Sequence, residues 1–115
     1  MEDNRRRERR KYLTYFSRVT DHESGIMVGY LVDLTTGGAQ LVGNIPLDLQ
    51  IVYDLRVDLP EDFFVQGAIE IQARAVWIQP DIDPEFYRIG LQLVTIAPSD
   101  LLVLQKLLNT YAANP

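Results

Sequence analysis

The stretch IVYDLRVDL, Ile51 to Leu59, decides the fold class. Ile51, Tyr53, Leu55, Val57 and Leu59 alternate with Gln50, Asp54, Arg56 and Asp58. A period of two puts one side of the chain in a core and the other in water, which is the pattern of a half-buried β-strand. Pro60, Glu61 and Asp62 end it. The same period recurs on both sides. Downstream, Ile69, Ile71, Ala73, Ala75 and Trp77 share a face; Gln79 to Glu85 reads as a turn; Ile89, Leu91 and Leu93 then oppose Arg88, Gly90 and Gln92. Upstream, Leu13, Tyr15, Ser17 and Val19 form one face, and the cluster DHESG (Asp21 to Gly25) is a turn. Ile26, Val28, Tyr30 and Val32 follow, TTGG breaks the run at Thr35 to Gly38, and Ala39 to Val42 resumes it.

The carboxy-terminal end changes period. Pro98, Ser99 and Asp100 are helix-start signals. Leu101, Leu104 and Leu108 then follow at helical spacing, widened by Val103 and Leu107. Six short strands and one amphipathic helix favour a small antiparallel barrel, because closure removes exposed sheet edges. The helix is expected to close one mouth or lie against the side. Its stripe is expected to pack on the barrel, with a homodimer face on part of it as the alternative. Trp77 and Tyr30 are expected in the core, since each lies on an alternating apolar face.

The bulk numbers bound the function. A chain of 115 residues is one domain and can bury roughly 60–70% of its unfolded surface. The absence of cysteine excludes disulfides and thiolate metal sites, and fits a reducing cytoplasm. Charge directly follows Met1, unlike a secretory leader, and no apolar run approaches the roughly 20 residues of a membrane span. A formal charge of −5 argues against a general DNA or RNA binder. His22 is the single histidine, which gives a metal site or a histidine-based triad little support. Asp81, Asp83 and Glu85 lack the glycine and the later glutamate of a calcium loop. No phosphate loop, nucleophile elbow or paired acid and base appears, so the chain reads as a non-enzyme.

Against that acidic background, six of the eleven basic residues fall in RRRERRK, Arg5 to Lys11. Residues 1–11 read as a flexible arginine-rich arm, ordered by whatever neutralises it, and residues 12–115 as the barrel with its helix. Arg6 and Arg10, four apart, project to one side and can fork onto phosphate oxygens or stack on bases. Asp33 and Thr35 share a face at a strand end, in D-x-T-x-x-G closed by Gly38. A carboxylate there can accept from N–H donors on a base edge, a hydroxyl can donate or accept, and Gly37 and Gly38 permit positive φ and close approach. Such a set suits a ligand with phosphates and guanine-like edges.

The pairing of RRRERR with DLTTGG, inside RKYLTYFSRVTDHESGIMVGYLVDLTTGGAQLV and followed by FYRIGLQLV and a helix, resembles the PilZ domain. That family's signature is RRxxxR and then [D/N]-x-S-x-x-G. The resemblance implies a six-stranded antiparallel β-barrel with a carboxy-terminal α-helix, and a bacterial receptor for cyclic di-GMP. It implies Arg5, Arg6 and Arg10 as the arginines that wrap the dinucleotide, and Asp33, Thr35 and Gly38 as the barrel half of the site. Thr35 stands where the family most often has serine, so weaker binding is the expected consequence. Arg5 and Arg9 fit the RxxxR spacing as well, but Arg6 and Arg10 set KYL directly after the motif, where the first strand is expected to start. The output is expected to be a reshaped surface presented to an effector protein, with no metal or cofactor. Two alternatives stay open: an adaptor of the same fold that does not bind the nucleotide, and a small barrel that binds nucleic acid through its arm.

Overall fold

The computed structural model describes residues 11–34, 37–60 and 66–113. The strands are β1 (Lys11–Asp21), β2 (Met27–Leu34), β3 (Gly38–Gly43), β4 (Val52–Asp58), β5 (Ala68–Pro80) and β6 (Tyr87–Ile96). Helix α1 (Pro98–Tyr111) and a two-residue strand β7 (Ala112–Ala113) complete the chain. The order β2-β3-β6-β5-β4-β1 is closed by the pairing of β1 with β2, and β7 adds to β1 at Tyr12 and Leu13. Every pairing is antiparallel. The expected closed six-stranded antiparallel barrel with a carboxy-terminal helix is therefore the fold observed.

Turn chemistry sets the hairpins. The Asp21 carboxylate accepts from Ser24 N at 3.1 Å and Ser24 Oγ at 2.7 Å, and Gly25 takes the positive φ of 74° that the reversal needs. Between β5 and β6, Asp81 N donates to Phe86 O, and Asp83 Oδ1 accepts from Glu85 N at 3.0 Å. The acidic run of that segment therefore includes an ordinary hydrogen-bonded turn.

The inward faces of β4, β5 and β6 follow the period of two. Leu55, Val57, Ile69, Ala73, Ala75, Ile89 and Leu91 are all buried. Ile51 is 49% exposed, because it precedes the strand in the bend where Gln50 N bonds Ala75 O. Helix α1 starts with Pro98, whose missing N–H would be unpaired there in any case. Leu104 and Leu107 point into the barrel and are buried, with Val103 packed beside them. An apolar cavity of about 20 Å³ remains between Leu104 and the walls formed by Leu31, Val57, Ile71, Ala73 and Leu91.

Closure is achieved with register shifts, and these overturn the simple alternation on two strands. An extra residue stands at Val28 and at Val32 in β2, at Val76 in β5 and at Val94 in β6. A bulge of one residue reverses the inside–outside phase beyond it. In β2 the inward residues are Val28 and Leu31, whereas Tyr30, expected in the core, is 41% exposed. In β5 the phase changes between Ala75 and Trp77, so Ile78 faces Ile89 inside and Trp77 pairs with Gly90 outside. Trp77 is therefore a half-buried residue of the outer face, outside the core cluster.

Candidate functional site

The site grows from the bulge in β2. Leu31 is paired with Leu41, and the next paired residue, Asp33, lies opposite Gln40. Leu41 is fully buried in the core, so its neighbour Gln40 is on the outer wall, and Val32 turns Asp33 to join it. Gln40 in turn lies opposite Gly90, and Gly90 opposite Trp77. Four strands thus contribute one row on the outer surface: Asp33, Gln40, Gly90 and Trp77. Arg88 shares this face on β6, two residues before Gly90.

The row is polar and tightly bonded. Asp33 has no exposed surface and Gln40 has 5%. Gln40 Nε2 donates to Asp33 Oδ2 at 2.9 Å, and Arg88 Nε donates to Gln40 Oε1 at 2.7 Å. The amide orientation is chemically determined, because an ionised carboxylate only accepts and a guanidinium only donates. Asp33 is therefore coupled to a cation through one intervening amide. On the other flank of the row, Gly38 lies opposite Gln92, and Gln92 opposite Arg74, whose Nη1 donates to Gln92 Oε1 at 3.2 Å.

Both glycines near the row are required by space. A Cβ on Gly90 would fall inside the Trp77 indole, and a Cβ on Gly38 would collide with the Leu91 carbonyl oxygen. Gly38 is outside the positive-φ region, so its absent side chain allows β3 to approach β6 and is not needed for a left-handed turn. Gly37 is exposed, and its carbonyl accepts from Leu93 N at 3.0 Å.

Of the residues expected in the site, Asp33 and Gly38 are on adjoining strands of the outer wall. Arg5, Arg6, Arg10 and Thr35, with residues 1–10 of the arm, lie outside the described residues. The start of β1 is described: Lys11 pairs with Leu34 and Tyr12 with Asp33. The residue that follows Arg10 in the chain is thus beside the acidic turn.

Gln40, Arg88 and Trp77 are the members that sequence reasoning missed. Gln40 and Arg88 carry only the signal of an outward polar position, which any half-buried strand displays. For Trp77 the alternating period points inward, and the bulge at Val76 interrupts it. Among the described residues, no three acidic or histidine side chains converge as a metal site, and no helix is long and apolar enough to cross a membrane.

A family model described as the PilZ domain matches residues 4–110. No curated protein matches the chain. Among solved structures, the PilZ domain of YcgR from Escherichia coli with c-di-GMP is similar at a TM-score of 0.69 and 18% identity, over 93% of this chain and 91% of that one. The Bacillus subtilis inhibitor of motility, MotI/DgrA, is similar at 0.71 and 21%, over 90% of this chain and 49% of its own. The MrkH–c-di-GMP complex of K. pneumonia is similar at 0.70 and 23%, over 91% and 51% respectively. The chain thus spans about half the length of the latter two.

Proposed function

The chain belongs to the PilZ domain family, and on that premise we propose that it is a bacterial cyclic di-GMP receptor that signals without catalysis. In this reading Arg5, Arg6 and Arg10 engage the phosphates and bases, while Asp33, Thr35 and Gly38 form the barrel half of the site. The arm, residues 1–11, orders on the ligand and presents a changed surface to an effector protein.

The supporting observation is the pairing of Tyr12 with Asp33, which roots the arm beside the acidic turn. An extended chain spans at most about 3.3–3.6 Å per residue, so Arg6, five positions before Lys11, has a reach of roughly 17 Å. Asp33 accepts hydrogen bonds, and a guanine edge offers N–H donors. A charge-assisted bond contributes about 1.5–3 kcal/mol. Micromolar affinity corresponds to about −8.2 kcal/mol, so about four or five such bonds can offset arm ordering and lost ligand freedom. Because Asp33 is fully buried, the reading includes an opening step before the base reaches it.

Calorimetry with cyclic di-GMP is the test. Arg10→Ala and Asp33→Ala are each expected to weaken binding at least tenfold. Unchanged affinity in both would remove the proposed site.

The burial of Asp33 and its bond to Gln40 give weight to a second reading, in which the chain is an adaptor that works through protein contacts alone. An adaptor would give neither saturable heat nor a thermal shift with the nucleotide.

A further inference from the structure

We infer that Gln40 and Arg88 are positioning residues that set the base selectivity of the site through Asp33; this rests on the receptor reading above. The geometry is a directional chain of two short hydrogen bonds, Arg88 Nε to Gln40 Oε1 at 2.7 Å and Gln40 Nε2 to Asp33 Oδ2 at 2.9 Å. Three strands hold it, with Asp33 on β2, Gln40 on β3 and Arg88 on β6. Gln40 is 5% exposed, so water cannot readily replace either partner.

The direction of the chain gives Arg88 its role. Arg88 can only donate, so it holds the amide oxygen of Gln40 and turns the amide N–H₂ group toward Asp33. Without Arg88 the amide oxygen loses its charged donor; the N–H₂ group still donates to the carboxylate, but the Gln40 side chain is free to swing about its own torsions. Asp33, bonded to it, would swing with it. The carboxylate would remain in place along the chain, but its lone pairs would no longer point where a base edge arrives.

A cyclic dinucleotide separates this role from simple support of the fold. Phosphate contacts are the same for cyclic di-GMP and cyclic di-AMP. The base edges differ, because guanine presents N–H donors to a carboxylate where adenine does not present the same pair. A misdirected Asp33 therefore reduces discrimination between the two ligands, whereas general loosening of the barrel weakens both alike.

The experiment is calorimetry of the intact chain with cyclic di-GMP and cyclic di-AMP. The proteins compared are wild type, Arg88→Ala, Arg88→Lys and Gln40→Met, with thermal melts of each. Arg88→Ala and Gln40→Met are expected to weaken cyclic di-GMP binding at least fivefold and to narrow the preference over cyclic di-AMP by a similar factor. Arg88→Lys, which retains a cationic donor, is expected to recover most of that preference. If the wild type binds and both variants keep its affinity and preference, this inference is overturned and the receptor reading stands. Equal weakening for both ligands, in step with a lower melting temperature, also overturns it, since that is the signature of a structural role. If the wild type itself gives no heat with cyclic di-GMP, the receptor reading falls and takes this inference with it.

Discussion

Replacing Gly90 with alanine tests how the outer row is built. The added methyl would fall inside the Trp77 indole, with Nε1 and Cε2 nearest and Cδ1 at 2.6 Å. Something must move, and the half-buried ring is the softer partner, because the strand backbone is bonded on both sides. Aromatic side chains bury about 150–250 Å² when enclosed. Lifting a half-buried ring uncovers roughly 80 Å², which at about 25 cal/mol per Å² is about 2 kcal/mol. Against this, exchanging glycine for alanine in a strand recovers about 0.5–1 kcal/mol of backbone entropy. The expected net loss is about 1–1.5 kcal/mol, or roughly 4–6 °C for a chain of this length.

A double-mutant cycle with Trp77→Ala isolates the contact. In that background the Gly90→Ala change is expected to be neutral or slightly stabilising, which gives a coupling of about 2 kcal/mol. Urea unfolding followed by circular dichroism measures all four proteins. Trp77 is the single tryptophan, so its emission reports this contact without interference, and a red shift is expected in Gly90→Ala. The reasoning fails if Gly90→Ala destabilises equally with and without the indole, for then the strand and not the ring meets the methyl.

Three further outcomes are expected. Ser17 is fully buried, and its Oγ has no hydrogen-bond partner among the described residues. Ser17→Ala should therefore raise stability in chemical denaturation, by up to about 1 kcal/mol, since a buried hydroxyl left unpaired carries a desolvation penalty; a loss of similar size would show that the hydroxyl has a partner. Leu104→Ala should lower stability by about 2–5 kcal/mol, near the upper end, because it enlarges a space already left open beneath the helix; a melt within a degree or two of wild type would contradict the helix packing. In stopped-flow mixing with cyclic di-GMP, the observed rate should level off at high ligand concentration, as opening over Asp33 becomes limiting. A rate that rises linearly throughout would mean that Asp33 is reached without that step.

The strand count, the barrel class and the closing helix were legible in the sequence, for a local reason. Residues such as Leu55, Val57, Ile69 and Ile71 face inward simply because neighbouring side chains on a strand alternate, and Leu104 and Leu107 because a helix repeats every 3.6 residues. The turn at Asp21 to Gly25 was equally local, being set by one carboxylate and one glycine with positive φ. Asp33 and Gly38 were marked by their place in the acidic turn motif, although the reason for Gly38 differs from the one expected: it answers the Leu91 carbonyl on another strand.

Closure of the barrel decided the rest. Six strands curl into a ring here with register slips, among them those between Tyr12 and Ser17 in β1 and at Val28, Val32, Val76 and Val94, which look like ordinary strand residues. Each slip reverses which side chains face the interior, so Tyr30 and Trp77 ended outside. The hydrogen-bond chain from Arg88 through Gln40 to Asp33 spans residues up to 55 positions apart. No local pattern could announce it, because it exists only once β2, β3 and β6 lie side by side.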